Sequence, residues 1–299
     1  MNNGMSSPRL SIIIPTYNHA HFLRTALDSI RSQTFVDWEA IVVNNFSEDD
    51  TIAVVESYDD TRIRLVNFAN HGIIAAARNH GLSLTQAPLV AFLDSDDFWY
   101  PEKLQRCMDM LEQGYDLVCH AEVWVGPRGQ RRTVRYGPEA RATYESLLFD
   151  GNCISTSAVV MRRERAERAC CFSVQPEFVT AEDYELWLKL ARDGAKIGFI
   201  DEVLGEYLIH EGNQSRTALR NMQAVMAVFE HHLAALAGCI SARRMRRREA
   251  VILYSGARGL QDSDQYRQAW PYFFRAVRRY PWVPRFYAAM LLNALGRRL

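Results

Sequence analysis

Short apolar runs alternate with helix-like patterns over the first 120 residues of the chain. The runs LSIIIP (residues 10–15) and WEAIVV (residues 38–43) are nearly continuous in apolar side chains, which is typical of strands covered on both faces. Asn18 stands where a side chain caps a first helical turn. Five apolar side chains then recur at helical spacing: Phe22, Leu23, Ala26, Leu27 and Ile30. The pattern therefore predicts a strand, a helix and a strand.

The same alternation continues to residue 94. It predicts a helix over residues 49–58, a strand over 63–68, a helix over 73–84 and a strand over 89–93. Such alternation predicts an α/β fold, in which a mostly parallel sheet is flanked by helices. Ligands of these sheets bind at the carboxyl ends of the strands, and we expect a ligand site there.

The pattern changes in the second half of the chain. Residues 121–180 are rich in Gly, Pro and Arg, with one predicted strand, SAVVMRR. The segment EDYELWLKLARDG predicts a helix that ends at Gly194. From about residue 215 the chain is predicted to be helical, with breaks at Pro281 and Pro284.

Charge is distributed unevenly, although 35 basic and 35 acidic side chains cancel over the 299 residues. From Ile240 onward there are thirteen Arg against three acidic residues, so residues 1–239 carry 22 basic against 32 acidic side chains. The balanced total argues against a dedicated nucleic-acid-binding protein, and we expect no nucleic-acid partner.

The cysteines and the N-terminal stretch bear on the cellular compartment. The six cysteines show no CxxC pair and no metal-ligand spacing, which predicts reduced thiols. The start, MNNGMSSPRL, lacks a basic segment followed by an apolar one, and no apolar run reaches the length of a membrane span. These features predict a cytoplasmic protein.

Three carboxylates follow the fourth predicted strand, in the segment FLDSDDFWYPEKL. Asp94, Asp96 and Asp97 repel one another and raise one another's pKa, so the fold needs a cation or hydrogen-bond donors to compensate them. An Asp-x-Asp pair suits Mg²⁺ or Mn²⁺, which take oxygen ligands and leave positions for substrate phosphates. A solvated loop, with Asp97 capping a helix that starts near Pro101, is an equally weighted alternative.

Five ordered segments resemble the signature blocks of the family 2 glycosyltransferases. They cover about residues 10–216, about 70% of the chain, and run in order: SIIIPTYNHAHFLRTALDSIRSQTFVDWEAIVVNNFSEDDT, AARNHGL, FLDSDDFWYPEKL, AEDYELWLKLARDG and YLIHEGNQS. The resemblance implies a nucleotide-sugar-binding catalytic domain of the GT-A fold over residues 1–216, followed by a helical basic region over 217–299. It also implies a divalent metal, Mn²⁺ or Mg²⁺, and inverting transfer from a nucleoside-diphosphate sugar to an acceptor hydroxyl.

The resemblance further implies roles for single residues. In chain order these are Pro15, Thr16 and Tyr17 beside the base and ribose; Asn45 at the base; Arg78 near the donor; Asp94 at the ribose or sugar; Asp96 as the main metal ligand; Asp183 as the catalytic base; and His210 close to the metal or diphosphate.

General chemistry is compatible with these roles but leaves alternatives open. Inversion in one displacement needs a carboxylate opposite the leaving diphosphate, to which Asp183 corresponds, and cations for the charge on that leaving group. On position alone, Asp183 is also a helix-terminal carboxylate stabilised by the macrodipole. The alternative for His210 is a structural histidine, and for Arg78 a solvated helix residue.

One position departs from the family pattern. Where the family usually carries DDGS, this chain carries Asn44, Asn45, Phe46 and Ser47. A carboxylate at the second position accepts a hydrogen bond from a uracil or thymine imide, whereas the Asn45 amide adds donors and brings no charge. A UDP- or dTDP-sugar is the expected donor, and the base is left open.

The basic C-terminal region mixes Arg with Trp, Tyr, Phe and Leu. This composition is typical of a helix on an anionic membrane surface, and peripheral membrane association is one interpretation. An equally weighted interpretation is a helical subdomain that packs on the catalytic domain.

The sequence thus predicts an inverting, metal-dependent glycosyltransferase with a lipid-linked or saccharide acceptor, in surface polysaccharide or glycolipid biosynthesis. One alternative is a nucleotidyltransferase, which would not need the AEDYELW segment. Another is a non-catalytic nucleotide-sugar-binding protein, which Asn44 and Asn45 suggest. The presence of Asp94, Asp96 and Asp183 together argues against that second alternative.

Overall fold

The computed structural model describes residues 7–210, 217–236 and 240–297. The chain forms two compact units. Within the described residues, the first unit comprises 7–147, 152–174 and 186–210, and the second comprises 148–151, 175–185, 217–236 and 240–297. The predicted domain boundary at residue 216 lies outside the described residues.

A mixed sheet forms the centre of the first unit. Its strands are β1 (Leu10–Thr16), β2 (Trp38–Asn44), β3 (Ile63–Asn67), β4 (Leu89–Phe92), β5 (Phe98–Trp99), β6 (Leu117–Val125), β7 (Arg131–Val134), β8 (Val159–Arg162) and β9 (Ile197–Leu208). Their order is β3–β2–β1–β4–β8–β6–β9–β5, with β7 paired to β6.

The strand directions divide this sheet into two halves. Strands β3, β2, β1 and β4 pair in parallel, as the alternation of strands and helices predicts. In the other half only β6 and β9 are parallel, and the remaining pairs are antiparallel. A short connection such as that between β6 and β7 joins only antiparallel strands. The predicted α/β fold is confirmed.

Helices flank the sheet and make up most of the second unit. Those with residues in the first unit are α1 (Ala20–Arg31), α2 (Thr51–Glu56), α3 (Ile74–Leu84), α4 (Lys103–Glu112), α5 (Tyr144–Asp150), α6 (Arg163–Arg168) and α7 (Glu182–Arg192), of which α5 and α7 also contribute residues to the second. The C-terminal helices are α8 (Ala218–Ala234), α9 (Ala242–Asp262), α10 (Tyr266–Arg279) and α11 (Pro284–Ala294).

The predicted apolar runs form the core of the first unit. Every residue of β1 is buried, and the predicted face of α1 buries Leu23, Leu27 and Ile30 against the sheet. The predicted cap of α1 is wrong. His19 is the N-cap residue, while Asn18 adopts a left-handed φ of +52° and its side-chain oxygen accepts the Glu48 N–H at 2.8 Å.

The C-terminal helices of the second unit have an apolar cluster of their own. Its buried members come from three helices: Ala257, Leu260, Ala269, Phe273 and Ala289. The predicted break at Pro284 is the first residue of α11, where the missing N–H costs no helical hydrogen bond. Among the described helices, none is long and apolar enough to cross a membrane.

Candidate active site

Each of the first three strands of the sheet ends in a polar residue at the carboxyl edge. In the strand register, Thr16 lies opposite Asn44, and Asn44 lies opposite Asn67. The Asn45 N–H donates to the Thr16 carbonyl at 3.0 Å, and the Asn44 amide donates to the side-chain oxygen of Asn67 at 2.8 Å. The structure therefore brings Thr16 and Asn45, two of the predicted donor-binding residues, next to each other.

Two exposed aromatic residues follow adjacent strands at this edge. Pro15 and Thr16 are the buried end of β1, whereas Tyr17 directly after them is 50% exposed. Phe46, after β2, is 59% exposed and has a φ of +54°. Exposed aromatic rings of this kind offer a flat surface on which a base can stack. The sequence analysis assigned no role to Phe46, although its place after a predicted strand was a usable signal.

The two asparagines that replace family acids have different contacts. Asn44 is fully buried, and its oxygen accepts both the backbone N–H and the hydroxyl of Ser47, at 3.1 and 2.6 Å. The Asn45 oxygen accepts the Asn70 N–H at 2.9 Å. Asn44 therefore holds the loop, whereas the Asn45 amide nitrogen meets no acceptor among the described residues and can donate to a ligand.

Asp94 and Arg78 form an ion pair at the end of β4. The Arg78 guanidinium donates to the Asp94 carboxylate at 2.7 Å and lies 5.5 Å from the centroid of the Phe172 ring. Arg78 is only 3% exposed, so the alternative of a solvated helix residue is wrong. This pairing compensates one of the three clustered carboxylates.

Asp96 lies beside His210, as the resemblance implies. The distance between His210 Nε2 and Asp96 Oδ2 is 2.8 Å. Burial, and next the charge of Asp94, raise the pKa of Asp96, while the hydrogen bond from His210 opposes this shift. The segment YLIHEGNQS continues beyond His210 into residues outside the described part of the chain.

Asp97 has a structural contact that the sequence did not indicate. Its side chain is buried and accepts the N–H of Leu208, at the end of β9, at 3.1 Å. Burial, together with Asp96, Asp94 and Glu122, raises the pKa of Asp97 well above its ordinary value. The alternative in which Asp97 caps a helix is wrong, because α4 begins at Lys103 with Glu102 as its N-cap residue. Asp97 instead fixes the loop that carries Asp94, Asp96 and Asp97, here called the acidic loop, to β9, the strand that precedes His210.

His19 is a further residue of this site that the sequence analysis missed. Its Nδ1 lies 2.9 Å from the hydroxyl of Ser95, the middle residue of the Asp-x-Asp segment. Its ring centroid lies 5.9 Å from that of His210. Burial lowers the pKa of His19, which Asp96 partly offsets. The signal was available in YNHAHF, because polar residues directly after a parallel strand face its carboxyl edge.

The donor set at Asp96 fits a divalent ion that substrate oxygens complete. Asp96 supplies a carboxylate oxygen and His210 an imidazole nitrogen, which are hydrogen-bonded to each other at 2.8 Å, and an ion bound by both would replace the proton between them. Among the described residues, no group of three or more His, Cys, Asp or Glu side chains is arranged to hold a metal ion. A site with two protein ligands suits Mg²⁺ or Mn²⁺ bound mainly through substrate phosphates and water.

Asp183 belongs to the second unit, in the first turn of α7. Its side chain is partly exposed, and one carboxylate oxygen accepts the N–H of Tyr184 at 2.6 Å. Glu182 is buried, and its Oε2 accepts the N–H of Thr180 at 2.8 Å. Of the two neighbouring acids, Asp183 is thus the one that a substrate can reach.

The fold and the first unit's site define a class of protein, an α/β protein with a ligand site at the carboxyl edge of parallel strands. The model of the family described as "Glycosyl transferase family 2" matches residues 11–167, more than half of the chain. The chain belongs to the family 2 glycosyltransferases. It is therefore an enzyme that transfers a sugar from a nucleotide-sugar, as the resemblance predicted.

Relatives and solved structures agree with this assignment. The chain is 31% identical over 193 residues to UDP-Glc:alpha-D-GlcNAc-diphosphoundecaprenol beta-1,3-glucosyltransferase WfgD of Escherichia coli, covering 62% of this chain and 70% of WfgD. It shares its fold with TarS of S. aureus in complex with UDP-GlcNAc, with a TM-score of 0.66, 17% identity and coverage of 97% and 92%. It is likewise similar to the mannosyltransferase PcManGT of Pyrobaculum calidifontis in complex with GDP-Man and Mn²⁺, with a TM-score of 0.62, 18% identity and coverage of 98% and 86%.

Proposed function

We propose that this glycosyltransferase transfers a sugar, with inversion, from a UDP-sugar to a hydroxyl of a lipid-linked saccharide, in the assembly of a surface polysaccharide or glycolipid. The observation that carries the proposal is the carboxyl-edge site, where Asp96 and His210 lie 2.8 Å apart beside the Arg78–Asp94 pair. WfgD acts with UDP-Glc on a lipid-linked sugar, and TarS binds UDP-GlcNAc. A UDP-sugar is therefore the preferred donor.

The nucleotide binds at the ends of β1 and β2. The exposed rings of Tyr17 and Phe46 stack on the base, and the Asn45 amide nitrogen donates to a base carbonyl. Pro15 and Thr16 form the buried floor beside the ribose. An amide donor at this position can bind uracil through a base carbonyl. It does not need the hydrogen bond from the imide N–H that a carboxylate would accept.

The diphosphate and the sugar lie over the acidic loop. Asp96 and His210 would hold Mn²⁺ or Mg²⁺, and the ion would supply charge stabilisation for the leaving diphosphate. Arg78 fixes the Asp94 carboxylate, which accepts hydrogen bonds from hydroxyls of the ribose or sugar. The Mn²⁺ bound to PcManGT supports the same metal here.

Asp183 removes the proton from the acceptor hydroxyl. A positioned carboxylate on the face opposite the leaving group is what a single inverting displacement requires. Asp183 is partly exposed, and its Oδ1 accepts the Tyr184 N–H at 2.6 Å, which fixes the orientation of the carboxylate.

We also propose that the enzyme works in the cytoplasm and associates peripherally with an anionic membrane through its second unit. Tyr287 and Leu291 of α11 and its C-cap residue Leu295 recur every four residues and are all exposed, and Trp282 just before this helix is 78% exposed. Thirteen Arg after residue 239 add the positive charge that anionic lipid attracts.

Vesicle co-sedimentation tests the membrane proposal. The full chain should bind vesicles that contain phosphatidylglycerol at low salt and be released at about 0.5 M salt, where charges are screened within a few ångströms. The double variant Leu291→Gln, Leu295→Gln should bind weakly, and the control Leu84→Gln, a partly exposed leucine of the first unit, should bind like the parent. Equal binding by all three proteins, or no binding by the parent, would overturn the proposal.

A donor panel tests the transfer reaction itself. UDP-Glc, UDP-Gal, UDP-GlcNAc, a dTDP-sugar and GDP-Man are each incubated with the enzyme, with and without Mn²⁺, and nucleotide release and thermal shift are measured. We expect a UDP-sugar to give both the largest thermal shift and the fastest nucleotide release, and only with the metal. Release from GDP-Man alone, or release independent of metal, would contradict the proposed donor or the proposed metal.

A further inference from the structure

The first turn of α7 is held by the C-terminal helices of the same unit. Tyr184 and Glu185, which follow the proposed base, are buried, and their side chains contact residues of α8 and α9. These helices lie after residue 217, outside the part of the chain that the family model matches. The contacts therefore connect the turn that carries the proposed base to a region with no assigned role.

The principal contact comes from Arg248 of α9. This arginine is 5% exposed, and its Nη2 donates to the Tyr184 hydroxyl at 3.2 Å, with the guanidinium 6.0 Å from the centroid of the same ring. Gly151 makes room for it: a Cβ on Gly151, whose φ is +101°, would lie 3.0 Å from Arg248 Nη1. A buried guanidinium is costly to desolvate, so an arginine here needs a reason beyond filling space.

A second contact joins α8 to the same turn. His232 Nε2 lies 4.0 Å from Glu185 Oε1, and both side chains are almost fully buried. At 4.0 Å these two atoms are beyond hydrogen-bond distance, so the contact is one of proximity, two residues beyond Asp183.

The residues that precede this turn are held in a strained conformation. Thr180 is β-branched and has a φ of +85°, a region that such residues rarely adopt. Its carbonyl accepts the Asn221 amide of α8 at 3.0 Å, and its N–H donates to Glu182 at 2.8 Å. Strained backbone persists where the surroundings impose it, and it is concentrated at functional sites.

We propose that Arg248 and Asn221 are positioning residues for the transfer reaction, which fix the turn that carries Asp183. This inference rests on the proposed role of Asp183 as the base. Polar contacts have defined directions, which apolar packing lacks, so they set the orientation of the carboxylate and not only the stability of the helix. The basic C-terminal helices then contribute to turnover.

The test compares two substitutions in one helix. Arg248→Met keeps the length and apolar stem of the side chain and removes its donors, and the control Arg246→Met makes the same change at an exposed position of α9. Nucleotide release from UDP-Glc, or from the better UDP-sugar of the panel, is measured with Mn²⁺. We expect kcat to fall about 10- to 100-fold in Arg248→Met, the effect of a misplaced catalytic group, with the donor KM and UDP affinity unchanged. The control should match the parent.

Two further variants keep the test decisive if Arg248→Met is poorly soluble. Tyr184→Phe removes only the hydroxyl that Arg248 contacts, and Asn221→Ala removes only the donor to Thr180. Each should lower kcat without changing the donor KM. The positioning role would be overturned if folded Arg248→Met and Tyr184→Phe proteins kept a kcat within twofold of the parent. It would also be overturned if they showed a raised donor KM in place of a lowered kcat.

The Asp183→Asn background separates this inference from the proposed function. If Arg248 acts through Asp183, adding Arg248→Met to Asp183→Asn should lower kcat by less than about threefold, because residues that act as a unit are not additive. A further 10- to 100-fold fall in kcat in the double variant would show that Arg248 does not act through Asp183. That result would overturn the positioning role and leave the proposed base in place. Parent-like turnover by Asp183→Asn would instead overturn the proposed base, and the positioning role with it.

Discussion

The acidic loop of the first unit and the first turn of α7 in the second are held by contacts of different origin. In the loop, Asp94 and Asp96 follow one strand, and their partners Arg78 and His210 lie in segments that resemble the signature blocks of the family. In the turn, the proposed base is fixed by helices that lie far along the chain. The segments that resemble the family carry both the acidic loop and Asp183, whereas Arg248 and Asn221, which contact the α7 turn, lie after residue 216, outside those segments.

The electrostatics of the two regions differ as well. Burial and mutual repulsion raise the pKa values of Asp96 and Asp97, so the loop gains stability from any cation that binds there. In the turn, Asp183 is partly exposed, while the buried acid Glu185 lies 4.0 Å from His232. We therefore expect ligand binding to depend on the loop and turnover to depend on the turn.

The largest expected effect is that of Asp183→Asn on turnover. The amide keeps the shape of the carboxylate but cannot take the acceptor proton, so kcat should fall by about 10² to 10⁴, the usual contribution of a positioned general base. Donor binding, measured by calorimetry with UDP and Mn²⁺, should stay within about twofold. If the variant turns over like the parent, the base lies elsewhere and Glu182 is the next candidate.

The next effect is that of Asp96→Ala on the metal. The site has few protein oxygens, so the loss of one carboxylate should remove manganese-dependent donor binding. Titration of the variant with UDP, with and without Mn²⁺, measures this. Glu56→Ala, at an exposed position at the end of α2, is the control for lost negative charge. Manganese-dependent binding that survives in Asp96→Ala would place the metal elsewhere.

A smaller effect concerns stability and involves Glu122 of β6. This carboxyl is buried and accepts the Tyr136 hydroxyl at 2.6 Å, and burial raises its pKa from 4.5 to about 7. Because the folded-state pKa exceeds the unfolded one, the stabilisation is complete below about pH 4.5 and is lost as the pH rises through 7. Over this window the loss is about 3 kcal/mol.

Urea unfolding of the parent and of Glu122→Gln between pH 4.5 and 8 isolates this contribution. Since the amide does not titrate, the free energy of unfolding of the parent relative to the variant should decrease with rising pH. A difference that is constant with pH would mean that Glu122 has an ordinary pKa in the folded state.

Much of the parallel half of the sheet could be predicted from sequence, because its strands are continuous apolar runs with helical patterns between them. Strand β6 was missed because His120 and Glu122 interrupt its apolar run, and polar residues in a strand resemble a loop until their burial is known. Asn18 was assigned as a cap because its residue type favours one, but its left-handed φ places it before the cap position.

The same distinction applies to the candidate site. Asp94, Asp96, Asp183 and His210 could be named because each lies in a motif of consecutive residues. The contacts of Asp97, His19 and Arg248 could not, because their partners lie 111, 76 and 64 residues away along the chain. Only the folded chain brings such pairs together, and no local pattern encodes them.

The central claim is tested most directly by calorimetric titration of UDP with Mn²⁺ into the parent, Asp96→Ala and Asp183→Asn proteins. Nucleotide release from a UDP-sugar is measured on the same samples. That claim is that the acidic loop binds the donor and the α7 turn supplies the base. The account predicts that Asp96→Ala loses both binding and release, whereas Asp183→Asn binds like the parent and loses release. Parent-like binding by Asp96→Ala, or lost binding by Asp183→Asn, would contradict this division between the two regions.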